Sequence, residues 1–183
     1  MRLPHYGFII CACLLLSAVA QAQFNYATNS GVISITKYTG SGGVVTVPNG
    51  VTIIGHDAFY FCGNLTSITI PDSVTNIGRY AFYYCTNLAD AAIPNGITFI
   101  TNFVFSYCSS LTNITIPSRV TFIGTGAFKY CENLKGIYFK GNAPILSGGD
   151  PFEGDTNLTV YHLEESTGWG SRYGGRPTAL WKP

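Results

Sequence analysis

Val47–Thr69 reads VPNGVTIIGHDAFYFCGNLTSIT, and the chain then repeats that unit three times without a gap. The copies are Ile70–Ala92 (IPDSVTNIGRYAFYYCTNLADAA), Ile93–Thr115 (IPNGITFITNFVFSYCSSLTNIT) and Ile116–Tyr138 (IPSRVTFIGTGAFKYCENLKGIY). A fifth, degenerate unit starts at Phe139 and needs about one inserted residue before Phe152 to bring Phe152 and Leu158 into phase. Self-similarity at a fixed period of 23 signals a solenoid, in which one unit cannot bury its apolar face alone and must stack on its neighbours.

Each column of the repeat has a physical reading. Pro48, Pro71, Pro94 and Pro117 cannot donate to a ladder and mark a corner. Val51, Val74, Ile97 and Val120, with Ile54, Ile77, Ile100 and Ile123, suit a short buried extended stretch. Gly55, Gly78 and Gly124 then predict a tight turn or a positive φ. Thr101 interrupts that column, so a strained or differently shaped turn is expected there. Phe59, Phe82, Phe105 and Phe128 each precede by three residues Cys62, Cys85, Cys108 and Cys131, which places Phe and Cys on one face of a single helical turn. Leu65-x-x-Ile68-x-Ile70 recurs from Leu111 and Leu134, and the second unit carries the smaller Ala91 at one core position.

That last pattern is the strand signature of leucine-rich repeats. The full unit, I-P-x-x-V-T-x-I-G-x-x-A-F-x-x-C-x-x-L-T-x-I-T, resembles the BspA-like leucine-rich repeat family of bacterial surface and secreted proteins over residues 47–163. The expected fold is a β-rich α/β repeat, a short leucine-rich-repeat solenoid with N- and C-terminal caps. Residues 23–46 are expected to form the N-terminal cap, 47–163 the five repeats, and 164–183 a C-terminal cap whose Trp169, Tyr173 and Trp181 fold over the last repeat. The resemblance implies a recognition or adhesion role toward a protein or glycan ligand. Self-association through the stacked edges is the alternative.

The N-terminus sets the expected compartment. Phe8–Ala20 is an apolar run behind Arg2, and Ala20-Gln21-Ala22 is a small-x-small site, so residues 1–22 read as a signal peptide cleaved after Ala22. Export to the periplasm, surface or medium follows, with no membrane insertion of the mature chain. Only 10% of residues are charged, Lys and Arg total 10 without clustering, and the net charge is +1. Phosphate binding by counterion release needs clustered cations, so nucleic acid is not an expected partner.

A search for chemistry returns little. The four repeat cysteines read as a buried stack of thiols, one per rung, with disulfide pairing between rungs as the alternative. A zinc site wants converging pairs rather than one ligand per rung. His56 and His162 lie near opposite ends of the repeats, and no nucleophile–base set can be assembled around either. The chain is therefore expected to be non-enzymatic, without cofactor or metal. Strand alternation supplies a candidate binding face: Ser67 and Thr69, Asp90 and Ala92, Asn113 and Thr115, and Gly136 and Tyr138 point outward. A second candidate is the aromatic row Tyr60, Phe61, Tyr83, Tyr84, Tyr107 and Tyr130, which reads equally as packing between rungs.

Overall fold

The computed structural model describes residues 23–183, and the expected signal peptide lies outside the described residues. Two rows of short parallel strands succeed one another along the solenoid, each rung giving one strand to each row, or ladder. The first ladder contains β2 (Val32–Tyr38), β4 (Ile53–Ile54), β6 (Asn76–Ile77), β8 (Phe99–Ile100), β10 (Phe122–Ile123) and β12 (Ile145–Leu146). The second contains β3 (Gly43–Thr46), β5 (Leu65–Thr69), β7 (Asp90–Ala91), β9 (Asn113–Ile116), β11 (Gly136–Phe139) and β13 (Thr159–His162). These make six rungs, not five. The segment read as a cap from residue 23 to 46 supplies the first of them, because β2 and β3 pair in parallel with β4 and β5. β1 (Phe24–Asn29) pairs antiparallel with β2. At the other end, the tail is not a plain loop: β14 (Arg172–Tyr173) pairs antiparallel with β15 (Arg176–Leu180), and β15 extends the second ladder beside β13.

The helical component expected from the Phe–Cys spacing is absent, since residues 24–183 form strands, turns and bends. The reason is conformational. Two residues per rung in the third column take left-handed φ: Asp57 and Phe61, Tyr80 and Tyr84, Phe103 and Tyr107, Gly126 and Tyr130. A left-handed residue stops a right-handed helix from propagating. The backbone uses the freed groups across rungs. Amides of Phe59, Phe82, Phe105 and Phe128 donate to the next rung (Ala81, Val104, Ala127 and Pro151 oxygens, 2.8–2.9 Å). Between them, amides such as Tyr83 and Cys85 close local turns on Tyr80 and Phe82 at 3.0 and 3.2 Å. Polar backbone groups inside the stack are thus satisfied alternately within and between rungs.

The core is columnar. Phe59, Phe82, Phe105, Phe128 and Phe152 are fully buried and stack ring on ring, with centroids 5.0, 5.2, 5.6 and 6.1 Å apart. Tyr38 continues the column at 5.0 Å from Phe59. The inserted residue in the last rung is real, since Phe152 meets Phe128 in phase. Among the described residues all four cysteines, Cys62, Cys85, Cys108 and Cys131, are free. Cys85, Cys108 and Cys131 are buried, and each Sγ donates to the carbonyl of a phenylalanine in the preceding rung (Phe59, Phe82 and Phe105, 3.1–3.2 Å). Burial pushes these thiols well above their ordinary range.

The last rung breaks the cysteine column with Asp155, fully buried, neither of whose carboxylate oxygens has a hydrogen-bond partner. Burial lifts its carboxyl to about 8, against the pull of the Cys131 backbone and the Arg176 guanidinium; Asp150 and Glu132 add to the rise. The fold therefore favours the protonated acid, and the stability this group contributes is full below its ordinary 3.8 and is lost as pH rises through about 8. Asp155→Asn, neutral at every pH, is expected to flatten that dependence. Thermal melts should show wild-type Tm falling across this window while the variant's Tm stays level.

The glycine column has a different cause from the one expected. Gly55, Gly78 and Gly124 are not left-handed. They are needed because the preceding rung approaches too closely for a side chain: a Cβ on Gly78 would lie 2.5 Å from the His56 nitrogen, and one on Gly124 would lie 2.6 Å from the Asn102 nitrogen. Gly78→Ala is accordingly expected to cost about 1–3 kcal/mol, the usual penalty of overpacking, measured by denaturant unfolding.

Candidate functional site

Both ladders break at the same place. β6 does not pair with β8, nor β7 with β9, so three rungs lie on each side of the junction. The turn column alone runs through it, with Phe82 donating to Val104 and Tyr84 to Ser106, both at 2.9 Å. On the second ladder the gap becomes a cleft of about 640 Å³, lined by Asp90, Ala91, Ala92, Ile93, Asn95, Asn113, Ile114, Thr115, Pro117, Tyr138, Lys140 and Trp181. That is within the usual size of small-ligand sites.

The local sequence explains the shape. Ala91 stands where the neighbouring strands carry Ile68, Ile114 and Ile137, and β7 is shortened to two residues. Gly136 occupies the place of Asn113 one rung earlier, and its missing side chain lets the Tyr138 ring lie across it, since a Cβ there would be 2.7 Å from that ring. One face of Tyr138 is covered by Tyr161, stacked at 4.7 Å and 7°. Trp181 meets the same ring edge-on at 5.3 Å, held by its own amide donating to the His162 oxygen at 2.8 Å. Asn95 is fixed from behind by Asp72, whose carboxylate accepts its amide at 3.0 Å.

Of the outward row read from the sequence, Asp90, Ala92, Asn113, Thr115 and Tyr138 line this cleft, with the Gly136 position beneath its tyrosine. Ser67 and Thr69 lie on the second rung, outside it. Trp181, Asn95 and Lys140 were not among the residues picked out. Trp181 had been assigned to covering the last repeat; the tail has no repeat register to show that β15 carries it back to Tyr138. The residues that do contact the sixth rung's apolar side are Trp169, 4.9 Å from Phe139, and Tyr173, 6.3 Å from Phe152.

The alternative aromatic row stacks from rung to rung, while Tyr60, Phe61 and Tyr84 remain exposed. Tyr60 stacks on Tyr83 at 5.2 Å, Phe61 on Tyr84 at 4.6 Å, and Tyr107 tilts against Tyr130 at 5.0 Å. His56 lies in a smaller crevice of about 370 Å³ on the first ladder, and His162 stacks on Trp169 at 5.1 Å. Among the described residues no group of three or more His, Cys, Asp or Glu side chains is placed to hold a metal ion. Nor does any described helix have the length and apolarity to cross a membrane.

The sequence profile of the BspA type Leucine rich repeat region matches six copies over residues 32–159, in agreement with the six rungs. No curated protein matches the chain. Among solved structures, a leucine-rich repeat protein of Treponema pallidum is 32% identical with a TM-score of 0.70, covering 76% of this chain and 69% of its own. A leucine-rich cell surface protein of Faecalibacterium prausnitzii is 33% identical with a TM-score of 0.66, and the match spans 77% of this chain but 38% of that one. The pneumococcal vaccine antigen PcpA shares the fold at 16% identity and a TM-score of 0.63, over 88% of this chain and 48% of its own. With six copies of the family's repeat over residues 32–159, most of its length, the chain belongs to the BspA-type leucine-rich repeat family.

Proposed function

We propose that the protein is an exported, non-catalytic recognition protein that binds a glycan in the cleft between the third and fourth rungs. The observation that carries this is the convergence on one cleft of Asp90, Asn95, Asn113 and Thr115 with the rings of Tyr138 and Trp181. Planar amides and a carboxylate match the paired hydroxyls of a sugar, and aromatic rings match its apolar C–H faces. A flat protein epitope would call for clustered aromatic or arginine anchors, which the outward row lacks. Asp90, Asn113, Thr115 and Tyr138 stand on strands of the second ladder, which supports a preorganised binder. Export is supported by the Phe8–Ala20 run with Ala20-Gln21-Ala22, and by the cell-surface description of the Faecalibacterium relative.

A second reading is self-association. Among the described residues β3 ends its sheet with no neighbour on its outer side, and Val44 on it is 77% exposed. An unpaired edge strand is a template for another chain.

The test is a glycan and extracellular-matrix protein array run with the purified exported protein, beside light scattering. A glycan signal from a monomer is the expected result. Trp181→Ala and Asn113→Ala should each weaken it by about tenfold, the loss of one good contact. An empty array with mass growing with concentration would replace recognition by assembly through β3.

A further inference from the structure

We propose that the crevice on the first ladder, where the third and fourth rungs meet, is a second ligand site and takes a small aromatic carboxylate. It shares no residue with the Asp90–Trp181 cleft and does not depend on the glycan reading.

β6 and β8 do not pair, and a crevice of about 370 Å³ lies across the gap. That volume is at the low end for small-ligand sites, room for one ring and a short polar arm. Its polar wall is rich in donors. Arg79 enters from the third rung, its guanidinium carbon 4.7 Å from the centre of the Tyr80 ring and 5.6 Å from that of Phe103. Those two rings stack on each other at 5.2 Å. One terminal nitrogen of Arg79 donates to the Tyr80 hydroxyl at 2.9 Å, so the group is held in place with N–H groups to spare. Among the described residues no acid pairs with it. The two salt bridges are Lys129–Glu153 and Arg176–Asp150, and Asp57, whose amide donates to the Arg79 oxygen at 3.2 Å, makes none.

Asn102 lines the same crevice from the fourth rung. Its side-chain oxygen accepts from the Thr125 amide at 3.1 Å, which leaves its NH2 as the end that can bind. The Thr101 hydroxyl donates to the Ile77 oxygen at 3.0 Å, and His56 completes this wall. No Asp or Glu lines the crevice. A fixed guanidinium beside an amide donor, without a competing carboxylate, fits an anion through charge-assisted hydrogen bonds. A neutral sugar also calls for a strong acceptor, which Asp90 supplies in the other cleft and nothing charged supplies here.

The opposite wall is apolar and open. Phe99 and Phe122 stand at paired positions of β8 and β10, with rings tilted against each other at 6.1 Å. The third rung has Asn76 in this column, so the aromatic wall begins at the junction, next to Arg79. Phe99 is 57% exposed, an apolar ring left to solvent beside a cation without a partner. A ligand ring laid against Phe99 and Phe122 would bury that surface and carry its carboxylate to Arg79 and Asn102.

The experiment titrates phenylacetate into the isotope-labelled exported protein and follows its backbone amide resonances, beside light scattering. Amides of Gly78, Arg79, Phe99 and Asn102 should shift while those of Asp90, Asn113 and Thr115 stay, with a Kd of about 1 mM, the range open to so few atoms. Phenylethanol, which lacks the charge, and acetate, which lacks the ring, should each bind about tenfold more weakly. Arg79→Gln should weaken the acid about tenfold and leave the alcohol unchanged, while Phe99→Ala should weaken both. Both side chains lie at the surface, and each free variant's spectrum reports its fold. No shift at about 10 mM acid, equal binding of acid and alcohol, or shifts confined to the Asp90–Trp181 cleft would each overturn the proposal. So would a mass that grows with concentration and returns to the monomer in Phe99→Ala, which would give this face to a second copy of the chain.

Discussion

Everything in this molecule depends on one rung's backbone satisfying the next. A short unit with two strands of a few residues has too little surface to bury and too many amides to leave bare. The period of 23 solves both at once, by bringing every inward residue over its own equivalent and every free N–H over a carbonyl. The phenylalanine column, the thiols that reach back to phenylalanine oxygens, and the glycines that admit the neighbouring backbone are all consequences of that close parallel approach. Between the third and fourth rungs that approach is lost, and both ladders part together.

Much of this could be read from the residues because repetition turns a weak local signal into a strong one. The inward strand residues and the Phe–Cys column recur four times in register, and the structure buries them in the core, apart from half-exposed Cys62. What could not be read was conformation at single residues. Spacing of three between Phe and Cys suits a helical turn, but the left-handed φ at Phe61, Tyr84, Tyr107 and Tyr130 falls on aromatic residues that carry no sequence mark of it. The first rung escapes the pattern because Tyr38 stands for phenylalanine there and β2 meets β4 at a shorter spacing, Ser34 opposite Ile53. The interruption at Thr101 is visible as a broken column; that the column's glycines answer to a neighbouring backbone, and not to their own φ, shows only once the rungs are stacked.

The candidate site was legible to the same extent. Alternation along the strands points Asp90, Asn113, Thr115 and Tyr138 outward, and these four line one cleft. Ser67 and Thr69 share the alternation but not the cleft, because what makes a concavity is the parting of two rungs and not the outward row itself. Trp181 arrives from a tail without periodicity, by way of β15. A repeat thus announces its scaffold plainly, while its recognition surface lies where the repetition is imperfect.

The cysteine column has a chemical consequence of its own. A set of evenly spaced sulfurs looks like a framework of bridges, but here the thiols of Cys85, Cys108 and Cys131 are each occupied as a donor in a dry environment. Such sulfur is slow to ionise and so is poorly nucleophilic. Once the rungs have closed, Cys85, Cys108 and Cys131 are inert toward disulfide exchange, alkylation or peroxide, and half-exposed Cys62 at the N-terminal end of the column is the sulfur left within reach of reagent. The count of reactive thiols therefore reports on folding: one in the intact solenoid, and more wherever a rung has come away from its neighbour.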